Sequence, residues 1–284
     1  MACMRSAAGR SATHAVQTFG TTTRELIRLI DWLAGQGCTH VAMEATGIYW
    51  KPVWHILEGH FELILANAMH IRNVPGRKSD VNDATWIADL LAHGLIRGSF
   101  VPPEPIQDLR LLTRARRQLV HEIGNHTKRI QKTLEDANIK LSSVITDTVG
   151  GTGRAILDAF IEGESNPQRL AGLAQGSVVS KREELIEALN GRLTETHRIL
   201  LKTHLGQIRA TEAAIGDLET QMEKIVAPFR SKIDRLKTIP GVKDTAALVI
   251  VAEIGLDMSH FDSAGHLLSW ACLCPRMDES AGKK

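Results

Sequence analysis

Long apolar runs are absent from this 284-residue chain. None approaches the roughly 18 residues that a membrane-spanning helix requires, so an integral helical membrane protein is not expected. Cysteine is scarce: Cys3, Cys38, Cys272 and Cys274 are too few and too scattered for a disulfide framework, and Cys272-x-Cys274 lacks zinc-finger spacing. Net charge is nearly absent too, at +2, and by itself points to no partner. The opening stretch Met1–Ser11 (MACMRSAAGRS) has no acid and no apolar h-region, which argues against a secretory signal. His40, His55, His60, His70 and His93 show no ligand spacing of the HExxH kind and read as surface or packing residues. What is present is an ordinary globular balance, 43% hydrophobic and 23% charged, which excludes wholesale disorder and leaves room for one large domain or two ordinary ones. The expectation is a reduced, cytoplasmic protein whose residues 1–13 form an unstructured leader.

From His14 the text reads as α/β. A short strand over His14–Gly20 precedes Thr21-Thr22-Thr23, N-cap candidates for a helix in which Leu26, Leu29, Ile30 and Leu33 recur three and four apart. Thr39–Glu44 is a strand ending on a carboxylate, Tyr49–Glu58 a helix, Phe61–Ala66 an apolar strand, and Ser79–Ala92 a helix. Alternating short strands and helices predict a sheet covered by helices. Pro102, Pro103 and Pro105 then mark a boundary, after which the chain turns mainly α. Leu109, Leu112, Arg116, Leu119, Ile123, His126, Ile130, Leu134, Ala137 and Leu141 form a heptad-like seam, broken by the cluster Gly150–Gly153. A second long helical stretch, about Glu195 to Phe229, suggests a coiled-coil arm, and Pro228 and Pro240 bracket the entry to a small C-terminal unit.

Charge is concentrated on the arm. Arg110, Arg114, Arg116, Arg117, Lys128, Arg129 and Lys132 stand against Glu122 alone, +6 within 23 residues. Such a basic helical face is the footprint of contact with nucleic-acid phosphates; a solvated helix face is the plainer alternative. A second candidate contact is Thr238–Ala247 (TIPGVKDTAA), which reads as a helix-hairpin-helix. Its turn would offer backbone N–H groups to a phosphate around Gly241, with Lys243 adding charge where a glycine is usual; a plain αα-hairpin is the alternative.

Three carboxylates carry the possible chemistry. Glu44 closes a strand, where α/β active sites gather, and Asp80 and Asp83 lie three apart on one helical face. Together they can hold Mg²⁺ or Mn²⁺, which prefer oxygen ligands, and two such ions can stabilise both oxygens of a phosphodiester displacement. The same Ser-Asp-Val-Asn-Asp text is also a good helix start, with Asp80 as cap and Asp83 completing a capping box. Ser280 beside Lys283 is a weaker candidate nucleophile, in a segment that also reads as a frayed tail.

Together these stretches resemble the DEDD-type transposases of bacterial insertion sequences, the IS-one-ten group. The resemblance rests on Phe19–Thr22 (FGTT), His40–Gly47 (HVAMEATG), Tyr49–Trp54 (YWKPVW), Asn73–Ala84 (NVPGRKSDVNDA), Ile239–Val242 (IPGV) and Trp270–Pro275 (WACLCP). It implies an RNase H-like (RuvC-like) N-terminal domain, a coiled coil and a C-terminal transposase domain. It further implies DNA recombination guided by a structured RNA that the element encodes. Of the family's metal-binding quartet Asp, Glu, Asp, Asp, the last three members match Glu44, Asp80 and Asp83, and Ser280 is the best match to a serine that attacks DNA. The family's first aspartate, in a Gly-Ile-Asp-Val-like strand opening the domain, has no counterpart, and the family continues beyond Ser-Ala-Gly-Lys.

The expectation is therefore an incomplete RNase H-like domain over residues 14–101, lacking its first strand or strands, with exposed sheet edges and a weakly bound Mg²⁺ or Mn²⁺. A coiled-coil region follows over 102–230, and the start of a truncated C-terminal domain over 231–284. The copy is expected to be a defective transposase acting on DNA. The alternative is a non-catalytic nucleic-acid-binding or dominant-negative fragment working through the basic coiled coil; a third reading is a RuvC-like junction nuclease. A second copy is an expected partner for the heptad seam, which an intramolecular antiparallel hairpin would satisfy equally.

Overall fold

A computed structural model describes residues 1–8, 11–68, 71 and 82–273. It divides into two compact units, Met1–Val101 and Pro102–Lys284, with the break at the first of the three clustered prolines. The first unit is mixed α/β and the second is helical.

The first unit opens on a hairpin, not on an unstructured leader. Strand β1 (Ala2–Ala8) pairs antiparallel with β2 (Ser11–Gln17), Ala2 opposite Gln17 and Ala8 opposite Ser11. The correction has a physical basis. Small residues carry little hydrophobic signal, but they alternate around Met4, which enters the core, and Arg5, which turns to the opposite face. Helix α1 (Thr23–Gly35) buries the Leu26, Leu29, Ile30 and Leu33 stripe that its spacing predicts. Strand β3 (His40–Glu44) runs parallel to β4 (Glu62–Ala66), with His40 opposite Glu62 and Glu44 opposite Ala66. Helix α2 (Trp50–Leu57) makes the crossover, and α3 (Asn82–Ala92) follows.

Two small cores sandwich these strands. Met4, the α1 stripe and Leu57 pack with Ala15, Val41 and Leu63 on one face. On the other, Leu90, Trp86 and Ile87 of α3 pack with Ala66. Among the described residues the strands do not form one sheet: β1 pairs with β2 and β3 with β4, in two separate two-stranded ladders.

In the second unit, two long helices, α4 (Glu104–Asp136) and α9 (Glu195–Val226), pack along each other. They run antiparallel: Ile130 and Leu134 near the end of α4 meet Leu201, Leu205 and Ile208 near the start of α9, while Ile106 and Leu109 meet Met222 and Val226. The heptad-like seam is thus covered within one chain and needs no second copy. The first helix also stops earlier than its pattern suggests. It ends at Asp136, Asn138 takes φ +55°, and Leu141 opens a separate short helix, α5 (Leu141–Val144).

Nor do the glycines at 150–153 break a helix. They begin one, α6 (Gly151–Ile161), and Gly153 is needed because a Cβ there would lie 2.2 Å from the Thr148 carbonyl oxygen. Helices α7 (Pro167–Ala171) and α8 (Arg182–Ala188) complete a core around Phe160, Leu157, Leu170 and Leu185 at this end of the long pair. At the opposite end α10 (Arg230–Lys237) and α11 (Asp244–Ile254) pack Ile233, Ala247 and Val251 on Ile106 and Leu109; α12 (Ala264–Trp270) follows. Among the described residues no helix is long and apolar enough to cross a membrane.

Candidate functional site

Glu44 is the last residue of β3 and is half-buried. The Thr46 hydroxyl donates to its Oε1 at 3.0 Å, which fixes the carboxylate at the strand end. Asp83 lies in the first turn of α3, where the helix dipole favours an acid. Helix α3 packs against β1 and β3, and a cavity of about 650 Å³ is bordered by both Glu44 and Ala84, the residue after Asp83. The fold therefore brings the Glu44 strand end and the Asp83 helix to one place. Asp80 and Ser280 lie outside the described residues. Among the described residues no three His, Cys, Asp or Glu side chains group as a metal site would need. In kind, the carboxylates of Glu44 and Asp83 are the oxygen donors that Mg²⁺ or Mn²⁺ accepts.

Helix α3 is held to the hairpin by a residue that no motif singles out. Asp89 Oδ1 lies 2.9 Å from Arg5 Nε on β1 and 2.9 Å from His14 Nε2 on β2. Burial alone would raise the Asp89 pKa, but the hydrogen bonds and charges of His14 and Arg5 outweigh it and hold the carboxyl below the usual range. Its partners lie far away in sequence, so no local spacing could have revealed it.

The seven cations of α4 divide into two groups. Arg110 donates from Nε to the Ala252 carbonyl at 2.8 Å and from Nη2 to the Glu253 carbonyl at 2.9 Å, capping the end of α11. Arg114 forks onto the Glu253 carboxylate at 2.9 and 2.8 Å, and Arg116 donates to Glu219 at 2.8 Å. These three arginines assemble the unit internally. Burial lowers the Arg110 pKa, against the pull of Glu253, while the hydrogen bonds to Glu253 raise that of Arg114. A cavity of about 950 Å³ beside them is bordered by Arg114, Arg116 and Arg117 but also by Glu219, Glu223 and Glu253. Acids on that scale make it a poor seat for a phosphate. Arg117, Lys128, Arg129 and Lys132 are exposed and carry no ion pair among the described residues. At 100° per residue Arg117, Lys128 and Lys132 fall within about 60° of one another, roughly opposite the seam.

The predicted hairpin turn joins α10 to α11. Gly241 takes φ +86°, a conformation that a side chain would strain, while Lys243 sits at φ −99° as N-cap residue. Lysine in place of a second glycine therefore does not strain the turn. Lys237 Nζ bridges to Asp244 Oδ1 at 2.7 Å across it. The hydrogen bond to Lys237 lowers the Asp244 pKa, and the same bond raises that of Lys237. An acid thus already occupies the first turn of α11, and Lys243 is the exposed cation beside it.

Comparison with known families follows this division of the chain. A family model of DEDD-type IS110 transposases, described as Transposase, matches residues 1–139. A second, described as Transposase IS116/IS110/IS902 family, matches residues 233–284. No curated protein matches significantly. The first match covers the mixed α/β unit and the whole of α4, the second runs from within α10 through the turn and α11, and the chain belongs to the IS110-type transposases.

Proposed function

We propose that the chain acts on DNA in the transposition of an insertion sequence, with Glu44, Asp80 and Asp83 as its acidic centre. What supports the reading is the packing of α3 on β3, which sets the strand end of Glu44 and the first turn carrying Asp83 beside one cavity. These carboxylates would hold Mg²⁺ or Mn²⁺, which supplies charge stabilisation for the attacking and leaving oxygens of a phosphodiester displacement. Ser280 is assigned as the nucleophile on the family match at residues 233–284. Its Oγ would give up its proton and bond to phosphorus as a sugar oxygen leaves with the electron pair and takes up a proton. Arg117, Lys128 and Lys132 form the nucleic-acid face of α4, Arg129 flanks it, and Lys243 at the Gly241 turn adds a phosphate contact. Arg110, Arg114 and Arg116 are reassigned to holding α4 against α11 and α9. The nucleic acids bound would be DNA and a structured RNA encoded by the element.

The test is strand transfer by the purified chain with Mg²⁺, the element's RNA and a donor–target DNA pair. Product that disappears in both Glu44→Ala and Ser280→Ala is the expected result; transfer that survives Glu44→Ala overturns the acidic centre. Retarded DNA with no product in any preparation would assign the chain a binding role alone. Lys128→Ala with Lys132→Ala should weaken DNA binding uniformly across sequences and lower the salt slope by about 1 for each phosphate no longer neutralised.

A further inference from the structure

Helix α4 carries more than cations on its outer face. At 100° per residue, His121, Gly124 and Asn125 fall within about 80° of Arg117, on the side that also bears Lys128 and Lys132. Along that face the order is a cation at Arg117, then His121, Gly124 and Asn125, then cations at Lys128 and Lys132. The acids nearby are engaged elsewhere. Glu122, on the flank, accepts from Gln118 at 3.2 Å, and Glu135, beyond Lys132, is paired with Lys140. Two basic ends therefore frame a centre that holds no lysine, arginine or acid.

The fold makes no use of that centre. His121 is exposed and Asn125 half-buried, and neither side chain has a hydrogen bond or ion pair among the described residues. A Cβ built at Gly124 would meet nothing within 4 Å, so packing inside the chain does not require a glycine that weakens the helix relative to alanine. The dimensions select the ligand. Arg117 and Lys128 stand eleven residues apart, about 16 Å along the axis. The major groove of DNA is about 12 Å wide between its two backbones and admits a helix, whereas the minor groove, at about 6 Å, does not. The major groove of an RNA duplex is too deep and narrow for side chains to read, and a single strand offers one row of phosphates where the face has two basic ends.

We propose that α4 crosses the major groove of a DNA duplex, with Arg117 on one backbone, Lys128 and Lys132 on the other, and Asn125 and His121 at the base edges between them. The Asn125 amide accepts from N6 and donates to N7 of an adenine, the pairing that its paired donor and acceptor fit. The His121 ring presents a nitrogen to a neighbouring base. Gly124, without a side chain, lets the helix backbone come close to the bases. Phosphate contacts position a protein and base contacts specify the sequence, so Asn125 supplies a preference that the cations alone do not. The inference rests on the nucleic-acid reading of α4 given above, and adds to it the form of the ligand and a residue that discriminates among sequences.

The full chain is to be offered a pool of short DNA duplexes randomised at the centre, and the bound sequences counted. Enrichment of a short motif with a fixed adenine is expected, and 7-deazaadenine at that place, which removes only the N7 acceptor, should weaken binding about ten-fold. Asn125→Ala should erase the preference at that base pair and leave the salt slope unchanged, whereas Lys128→Ala should lower the slope by about 1 and keep the preference. Gly124→Leu should raise the thermal midpoint of the second unit yet weaken binding of the selected duplex about ten-fold, a loss that unfolding does not explain. A salt slope unmoved by Lys128→Ala would overturn the phosphate face and this inference with it. With the slope lowered as expected, four results would each overturn the groove assignment alone: no enriched sequence, a preference that survives Asn125→Ala, full binding by Gly124→Leu, or tighter binding of single strands or of an RNA duplex.

Discussion

Asp89 shows how one side chain sets the geometry around the candidate site. It ties α3, which carries Asp83, to both strands of the N-terminal hairpin through Arg5 and His14. Its folded pKa lies below the unfolded value, so its contribution is present above about pH 4 and is lost as pH falls through the folded value. Asp89→Asn should destabilise the first unit by about 1 kcal/mol at neutral pH. The difference from the unsubstituted chain should shrink below about pH 4, as chemical denaturation at several pH values will measure. Residue identities at the site were legible from local text: Glu44 was recognisable as the acid closing a strand, and Asp83 as an acid in the first turn of a helix. The roles of Arg110, Arg114 and Arg116 were not. Their acceptors lie in a helix about 140 residues on and in α9, and a run of like charge looks the same whether it is solvated, paired or meant for phosphate.

Among the elements, the long pair α4 and α9 carries an internal pH response. His126 sits at a seam position visible in the sequence; its neighbour across the pair, His204, lies 3.2 Å away between Nδ1 atoms. Burial, and then the charges of His126 and Arg129, depress the His204 pKa. The unfolded chain therefore binds more protons than the folded one between that depressed value and about 6.5, and stability falls on acidification through this window. Thermal unfolding of the second unit should shift downward from pH 7 to pH 5, and His204→Gln should flatten the response. An unchanged slope in that variant would rule the pair out as its source. At the same scale the amphipathic α1 and the strand β3 follow their patterns closely, because periodic apolar spacing is a strong local signal. Strand β2 was read three residues late and β1 was missed, because alanine, serine and a single methionine give almost no such signal; the order of the hairpin comes from α1 and α3 packed on it.

Over the whole molecule, cores separate as the chain does. Met4, Leu29 and Leu57 belong to one unit; Leu134, Phe160 and Leu205 belong to the other. Calorimetry should resolve more than one transition. Leu134→Ala, at a position 2% exposed, should lower a single transition by about 2–5 kcal/mol and leave the one sensitive to Asp89→Asn in place. By itself the sequence determined the change from α/β to helical at the prolines, the two long helices, the glycine-dependent turn at 241 and the family text around Glu44. Each of these is written in residues close together, where spacing and turn chemistry act directly. Only the tertiary structure decided that the arm closes on itself, that three of its cations are spent on internal pairing, and that α3 is tied to both strands of the N-terminal hairpin through Asp89. Those outcomes depend on which distant surfaces meet, and contact between residues far apart in the chain leaves no local periodicity to read.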